Sequence, residues 1–415
     1  MAAKKIVTDK PKTKKAPALA AVAGGIPASD EMIYYGHQYI DYADVKAVSE
    51  ALRSPYLTDG PGVEAVEKKL CEITGAKYAV VVSNCTAALH IACMAAGIGP
   101  GDEVITTPIT FAASANCILY CGATPVFADI DPETYNIDPK SVEACITEKT
   151  KAIIPVHYTG QAFDHDALRE ICEKHNLIMI QDAAHAIGTK YKGQPVGSLA
   201  GAAMTCFSFH PVKTVTAGEG GAVTTDDKAL YELLIRARSH GITHDREFMA
   251  HPTDDPWYYE ELELGYNYRM TDFQAALLSS QLNKLPLFSE RRKELTKRYN
   301  KELAKVPGII LQKEPEESDT TRHLYILQID TDKLSCTRRE FFDAMMAEHI
   351  RCQVHYIPVY FHPYYEKLGY KRGLCPNAEH LYERIMSLPL YYGLTDAQQS
   401  CVIEAVKKVA GYYRK

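Results

Sequence analysis

The sequence lacks the features of several protein classes. Its twelve cysteines include no CxxC pair, and Cys117 and Cys121 have no matching cysteine or histidine pair, so we expect no metal site. The net charge of −6 provides no positive excess for binding nucleic acid or an anionic membrane. No hydrophobic run approaches the length that spans a bilayer. We therefore expect neither a nucleic-acid partner nor a membrane partner.

The first 30 residues differ in composition from the rest of the chain. They mix lysine, alanine and proline without a sustained period, which predicts a disordered tail over residues 1–30. The apolar part, Ala16–Ala23, is too short for a membrane span and lacks the order of parts of a signal peptide. A transit peptide is weakly supported because the basic residues are all lysine. Free thiols in a chain of this size indicate a reducing compartment, so we expect a cytoplasmic protein.

Strand-like and helix-like segments alternate along the middle of the chain. Apolar strands such as YAVVV and LIMIQ alternate with helical segments such as CTAALHIACMAAG, which predicts an α/β fold with a mostly parallel sheet. We assign residues 31–285 to an N-terminal arm and a large domain. Beyond them, a long charged helix and shorter strands predict a smaller α+β domain over residues 286–415. Functional residues of such sheets gather at the carboxyl ends of the strands.

Polar residues follow three of the predicted strands. Asp182 comes directly after LIMIQ, Ser208 and Lys213 lie at or beyond TCFSF, and Asn84 and Thr86 open the helix after YAVVV. Each has a simpler interpretation when it is taken alone. Asp182 could cap a helix that starts at AAHA, Ser83 or Asn84 could be an ordinary helix cap, and Lys213 could be a surface lysine. The residues are therefore informative only as a set.

As a set, these residues match the requirements of pyridoxal 5′-phosphate (PLP). This cofactor needs a lysine for a Schiff base, a carboxylate that keeps its ring nitrogen protonated, and a site for its phosphate dianion. Lys213 and Asp182 supply the first two, and the helix that begins near Thr86 supplies oriented N–H donors for the third. Phe111 follows another strand and is available to stack on the cofactor ring. The sequence therefore predicts a PLP site.

Longer motifs extend this prediction to a family. The segments FSFHPVKTVTAGEGGAVTT, QDAAHAIG and GYNYRMTDFQAAL resemble those of the DegT/DnrJ/EryC1/StrS sugar aminotransferases, and the resemblance covers Ile33 to Tyr413. It implies PLP-dependent aminotransferase fold type I, with a large domain and a smaller C-terminal domain. YGHQYID, PITFAASANCILYCG and IIPVHYTGQ are most similar to the pseudaminic-acid branch of the family. That branch implies L-glutamate as the donor and UDP-2-acetamido-2,6-dideoxy-β-L-arabino-hexos-4-ulose as the acceptor, aminated at C4.

The resemblance also implies roles at the reacting end of the cofactor. Lys213 matches the Schiff-base lysine, which also moves protons during transamination. Asp182 matches the carboxylate that pairs with the ring nitrogen, and His185 matches the residue near the ring hydroxyl. His157 and Gln161 match positions that line the region of the ring and the substrate.

Other matches concern the cofactor's phosphate and its ring face. Ser208, the Cys85–Thr86 backbone and the Thr86 hydroxyl match phosphate ligands, and Phe111 matches the stacking residue. Asn267 matches a residue that reaches the phosphate in the neighbouring subunit, which implies a homodimer with shared active sites. The family often has Gly-Thr where this chain has Cys85–Thr86, and the cysteine side chain narrows the approach of the backbone to the phosphate.

Four alternatives remain open at this stage. The enzyme could aminate another UDP- or dTDP-linked keto sugar. It could be a PLP-dependent sugar dehydratase, although such relatives replace the Schiff-base lysine with histidine and this chain keeps Lys213. A PLP-binding regulator without catalysis is disfavoured by the intact pair of Lys213 and Asp182. A lysine aldolase that works without PLP would contain no bound chromophore.

Overall fold

The computed structural model describes residues 19–415. Within this part of the chain no helix combines the length and the apolar character that crossing a membrane requires. The strands in chain order are β1 Ile33–Tyr34, β2 Tyr78–Val82, β3 Glu103–Thr106, β4 Thr124–Phe127, β5 Thr150–Ile154, β6 Ile178–Asp182, β7 Lys190–Tyr191, β8 Gln194–Pro195, β9 Met204–Ser208, β10 Gly221–Thr225, β11 Ile242–Thr243, β12 Glu260–Glu261, β13 Ile309–Leu311, β14 Ser318–Asp319, β15 Tyr325–Ile329, β16 Ile350–Arg351 and β17 Ile385–Leu388.

Helices alternate with these strands through the first two thirds of the described chain. They are α1 Tyr42–Arg53, α2 Pro61–Thr74, α3 Cys85–Ala95, α4 Ala113–Tyr120, α5 Pro139–Ala144, α6 His165–His175, α7 Lys228–Arg238, α8 Asp272–Asn283, α9 Leu285–Leu303, α10 Arg338–Ala347, α11 Pro363–Lys367, α12 Pro376–Tyr382 and α13 Asp396–Tyr412.

The central sheet has seven strands in the order β2-β10-β9-β6-β5-β3-β4. Every neighbouring pair is parallel except those of β10, which runs antiparallel to both β2 and β9. The predicted α/β fold with a mostly parallel sheet is therefore confirmed. Because β10 runs in the opposite direction, its first residue lies at the same edge as the last residues of β2, β6 and β9.

Helices cover both faces of this sheet. Successive residues of a strand point to opposite sides, and because both sets are apolar, both faces need cover. In β2, Val80 and Val82 pack in one core cluster with Leu89 of α3. Val81 packs in another cluster, with Leu70 of α2. All of these side chains are buried. The strands are apolar on both faces, as the sequence pattern predicts for a sheet between two helical layers.

The C-terminal part of the chain is built on a smaller sheet. Strands β13, β15 and β17 pair antiparallel, and α9, α10 and α13 share their core through Leu295, Leu327, Phe341 and Val406. The long charged helix that the sequence predicts is α9, which begins at the division proposed after residue 285. Two strand pairs cross that division, β1 with β16 and β7 with β14, so the boundary itself stays a prediction.

The prediction of a disordered tail over residues 1–30 is wrong for the part that the structure describes, which starts at residue 19. The Glu348 carboxylate accepts the backbone N–H groups of Ala21 and Ala28, both at 2.7 Å. The Lys408 ammonium lies 2.7 Å from the same carboxylate, and both charged side chains are buried. Composition could not predict that this segment is ordered, because the residue that binds it, Glu348, is more than 300 positions away in the sequence. The earlier part of the predicted tail lies outside the described residues.

Candidate active site

Three strand ends meet at one edge of the central sheet. Asp182 is the last residue of β6 and Ser208 is the last residue of β9. Gly221, the first residue of β10, pairs with Ser208 on one side and with Val82, the last residue of β2, on the other. The fold thus brings together the strand ends from which the sequence predicts a site.

The Asp182 carboxylate is buried and held in place by two hydrogen bonds. The Ser114 hydroxyl donates to Oδ2 at 2.6 Å, and the Ala184 N–H donates to Oδ1 at 3.0 Å. Burial raises the pKa of Asp182, while these two bonds and the charge of Lys213 act in the opposite direction. The alternative that Asp182 caps a helix is wrong, because turns follow it instead of a helix. The Asp182 carboxylate is therefore positioned to pair with a cationic group of a ligand bound at this edge.

Lys213 lies in the loop between β9 and β10, where its N–H donates to the His210 carbonyl at 2.9 Å. Burial lowers the pKa of Lys213 to about 8, and the nearby Cys85 and Asp182 only partly oppose this effect. A lysine with this pKa is neutral in about a tenth of molecules at pH 7, far more than an exposed lysine. The amine is therefore prepared for nucleophilic attack. The alternative of an ordinary surface lysine is wrong, because Lys213 is half-buried.

The N-terminus of α3 lies next to these groups and offers donors for an anion. Asn84 caps the helix, as one simple interpretation of the sequence predicts, and its Oδ1 accepts the Ala87 N–H at 2.9 Å. The N–H groups of Cys85 and Thr86 have no hydrogen-bond partner among residues 19–415. Unpaired donors at the positive end of a helix form an anion site. This end of α3 therefore fits a phosphate group.

Backbone packing around this helix end depends on a glycine. A Cβ atom at Gly221 would lie 2.5 Å from the Asn84 carbonyl and 2.6 Å from the Cys85 nitrogen, closer than any side chain permits. Because Gly221 pairs with Ser208, the Ser208 hydroxyl lies at the same edge as the free N–H groups. Only glycine allows β10 to approach the start of α3 this closely.

His185 and Phe111 both lie near the ring of Tyr356. His185 is buried, and its Nε2 lies 3.0 Å from the Tyr356 hydroxyl. Burial lowers the pKa of His185 well below its usual value, and the charge of Lys213 lowers it further. The Phe111 ring centroid lies 6.4 Å from that of Tyr356, and 63% of Phe111 is exposed. Tyr356 therefore lies within hydrogen-bonding distance of a neutral imidazole and within ring-contact distance of an exposed phenylalanine.

Asn267 lies on the surface. Its backbone pairs with Ser239, and the next residue, Tyr268, accepts the Ser83 N–H at 2.7 Å through its carbonyl. Asn267 is thus exposed on the segment that contacts the loop before α3.

The structure directs the His157 side chain away from the region where the sequence places it. Its N–H donates to the Asp182 carbonyl at 3.0 Å, but its imidazole lies 3.2 Å from Gln181 and stacks on Phe163 with centroids 4.2 Å apart. Gln181 precedes Asp182 in β6, so their side chains point to opposite faces of the sheet. Burial lowers the pKa of His157 to about 3, and we correct its assignment to that of a neutral core histidine.

Gln161 belongs to a buried polar cluster instead of the edge that holds Asp182. Its Oε1 accepts from the Arg322 guanidinium at 3.4 Å, and its Nε2 has no partner in the described part of the chain. Arg322 also donates to Gln312, which lies in the C-terminal part. A contact of Gln161 with substrate stays a prediction.

Three residues of this site receive no assigned role from the sequence. Ser114 carries the hydrogen bond to Asp182, and its only sequence signal is its place in the motif TFAAS after a strand. Tyr356 is too far along the chain to be linked to His185 without the fold. His323 is buried with its ring centroid 4.5 Å from that of His185, and nothing in its sequence context marks it.

Comparison with known proteins gives a consistent answer. The family described as the DegT/DnrJ/EryC1/StrS aminotransferase family matches residues 38–407. The spore coat polysaccharide biosynthesis protein SpsC of Bacillus subtilis is 44% identical over 377 residues, which cover 90% of this chain and 96% of that protein. Helicobacter pylori PseC, an aminotransferase involved in the biosynthesis of pseudoaminic acid, has a TM-score of 0.85 and 32% identity, covering 92% of this chain and 100% of that one.

A third relative shows two states of the cofactor. The sugar aminotransferase Spr1654 of Streptococcus pneumoniae, solved in PLP and PMP forms, has a TM-score of 0.85 and 32% identity over 92% of this chain and all of its own. The groups described above fit PLP, because the low-pKa amine of Lys213, the buried Asp182 carboxylate and the free N–H groups of α3 match its aldehyde, ring nitrogen and phosphate. The architecture is PLP-dependent aminotransferase fold type I. The chain belongs to the DegT/DnrJ/EryC1/StrS family and is a PLP-dependent sugar aminotransferase.

Proposed function

We propose that the enzyme transfers the amino group of L-glutamate to C4 of a nucleotide-linked 4-keto-6-deoxy sugar. The proposed acceptor is UDP-2-acetamido-2,6-dideoxy-β-L-arabino-hexos-4-ulose. The likeness to PseC supports this acceptor, since PseC is an aminotransferase involved in the biosynthesis of pseudoaminic acid. The observation that carries the proposal is the placement of Lys213 and Asp182 at one sheet edge beside the free N–H groups of α3.

Each group at this edge has a distinct task. When bound, PLP supplies an electron-accepting ring that stabilises negative charge beside the amine being transferred. Asp182 holds the proton of the ring nitrogen by ion pairing. Lys213 takes a proton from Cα of glutamate in the first half-reaction and returns one to C4 of the sugar in the second. Its pKa of about 8 suits both directions near neutral pH.

The remaining assigned residues bind and orient the cofactor. The N–H groups of Cys85 and Thr86, with the hydroxyls of Thr86 and Ser208, hold the phosphate. Phe111 would cover one face of the ring, and its large exposed area supports this role. His185 contacts the ring hydroxyl as a neutral imidazole.

We propose that the working unit is a homodimer in which Asn267 reaches the partner's cofactor phosphate. Two observations support the dimer. Asn267 is exposed, and its neighbour Tyr268 accepts a hydrogen bond from Ser83 in the loop before α3. The outer side of α1 and the segment after it expose several large apolar side chains, an unusual pattern for a free surface: Tyr42, Val45, Leu52, Tyr56 and Leu57.

The test of this proposal separates the two half-reactions. Purified protein loaded with PLP is mixed with L-glutamate, and the visible absorption band and the release of 2-oxoglutarate are followed. We expect loss of the band with one equivalent of 2-oxoglutarate, and recovery of the band when the keto sugar is added. A Lys213→Ala protein that turns over glutamate and keto sugar at the wild-type rate would contradict the proposal.

A second candidate is amination of another UDP- or dTDP-linked keto sugar. The likeness to SpsC favours it, because that protein is 44% identical and its name refers to spore coat polysaccharide. A panel of UDP- and dTDP-4-keto sugars, offered to the glutamate-treated enzyme, decides between the two. Recovery of the visible band with a different sugar, at a kcat/KM at least 100-fold above that for the proposed acceptor, would favour the second candidate.

A further inference from the structure

A groove of about 340 Å³ lies between α4 and the segment around α11, beside the candidate active site. On the α4 side it is lined by Ala112, Asn116 and Tyr120, and on the other side by His362 and Tyr364. The α4 residues are four positions apart, which places them on one face of the helix. One face of α4 therefore forms one wall of the groove.

One end of the groove, at Ala112, is next in the chain to residues of the proposed cofactor site. Ala112 directly follows Phe111, the residue assigned to stack on the ring, and α4 also carries Ser114, which holds Asp182. From Ala112 to Tyr120 the helix advances about 12 Å, at about 1.5 Å per residue. A nucleotide sugar whose keto group lies near the Lys213 amine would extend its nucleotide over a comparable length.

The lining of the groove suits a neutral aromatic ring. It contains no lysine, arginine, aspartate or glutamate, so it offers no counter-charge for phosphates. Two tyrosine rings border it with large free areas, since 53% of Tyr120 and 59% of Tyr364 are exposed. Exposed aromatic rings are stacking platforms for nucleobases.

Asn116 adds a directional donor to the groove. The Tyr365 hydroxyl donates to its Oδ1 at 2.7 Å, which fixes the orientation of the carboxamide. Within residues 19–415 the Asn116 Nδ2 group has no hydrogen-bond partner. It is therefore available to a carbonyl oxygen on the edge of a base.

We propose that this groove binds the base of the nucleoside diphosphate that carries the sugar. Tyr364 stacks on the base and Asn116 donates to one of its carbonyl oxygens. The inference rests on the proposed function, because it assumes a nucleotide-linked acceptor. It adds the residues that select the nucleotide.

The test measures the binding of free nucleotides, which contain no keto group. UDP, dTDP and GDP are titrated by calorimetry into the PLP-loaded protein and into variants. For the nucleotide that binds best, we expect Tyr364→Ala to raise Kd about 10-fold or more and Tyr364→Phe to restore it, because stacking needs only the ring. Asn116→Asp keeps the acceptor for Tyr365 but removes the N–H donor, so it too should raise Kd.

Controls separate this inference from the proposed function. Tyr412→Ala changes an exposed tyrosine on α13, outside the groove, and should leave Kd unchanged. Each variant is checked for its visible cofactor band, and the wild type is checked for its response to glutamate. A wild type that responds to glutamate but binds none of the nucleotides, or an unchanged Kd in both Tyr364→Ala and Asn116→Asp, overturns the inference. A wild type that binds nucleotide through these residues but ignores glutamate supports the groove and refutes transamination.

Discussion

The Ser114 hydroxyl donates a hydrogen bond of 2.6 Å to Oδ2 of Asp182, and both side chains are buried. A charged group in a buried position needs such donors, because burial alone favours the protonated acid. Ser114 therefore acts on the cofactor site through Asp182. It is a positioning residue that keeps the carboxylate ionised and correctly oriented.

Replacement of Ser114 by alanine should lower the affinity for PLP. A hydrogen bond to a charged group contributes about 1.5–3 kcal/mol, so we expect the PLP dissociation constant to rise about 10-fold or more. The pKa of Asp182 should rise further, since one of the groups that lower it is lost. Fluorescence titration with PLP measures the effect, with the exposed Ser400→Ala as the matched control. Equal affinities for the Ser114 variant and the wild type would refute this role.

The lowered pKa of Lys213 sets the pH dependence of cofactor capture. Only the neutral amine attacks the PLP aldehyde, so the capture rate by the cofactor-free protein should rise about tenfold per pH unit below a pKa of about 8 and level off above it. Stopped-flow absorption of the visible band measures this rate. A free lysine derivative serves as the control, because its rate should rise toward pH 10. An inflection for the protein near pH 10 would show that burial does not lower the pKa.

Gly221 should not tolerate a side chain. An alanine Cβ there would clash with the Asn84 carbonyl and the Cys85 nitrogen, which forces the start of α3 to shift. Overpacking of this kind costs about 1–3 kcal/mol, and the shift should also weaken phosphate binding. Denaturant unfolding and PLP titration measure the two effects. Gly99→Ala is the control, because a Cβ at Gly99 meets no atom within 4 Å. Similar stability of the two variants would contradict the close approach.

Removal of the Glu348 carboxylate should destabilise the fold. Glu348→Ala leaves the Lys408 ammonium buried without its partner, which typically costs about 3–5 kcal/mol, and frees the N–H groups of Ala21 and Ala28. Urea unfolding measures the change in free energy. Glu302→Ala removes the partner of Lys407 in an exposed ion pair and should cost much less, because solvent screens that pair. Equal costs for the two variants would mean that the N-terminal segment is not anchored by this pair.

Much of the fold could be predicted because the strands are apolar on both faces. Runs such as YAVVV and LIMIQ indicate a sheet covered by helices on both sides. Lys213, Asp182 and Ser208 lie at or after the ends of such runs, which predicts their place at the edge of the sheet. The antiparallel direction of β10 could not be predicted, because the sequence of a fully buried antiparallel strand has the same apolar character as that of a parallel strand.

The predictions that failed, and the residues that received none, depend on contacts between distant parts of the chain. His157 follows β5 after Pro155 and Val156, and whether its side chain points toward Asp182 or toward Phe163 depends on how this segment pairs with β6. Tyr356 approaches His185 only because the C-terminal part folds against the large sheet. The anchor of the N-terminal segment likewise depends on Glu348, far away in the sequence.

Chemical trapping tests the central claim most directly. The PLP-loaded protein is reduced with borohydride, which fixes the cofactor to any amine that holds it, and the digested protein is mapped by mass spectrometry. We predict one phosphopyridoxyl group per chain, on Lys213, and none in a Lys213→Arg protein treated in the same way. Attachment to another lysine, or an unchanged amount of label in the Lys213→Arg protein, would contradict the account.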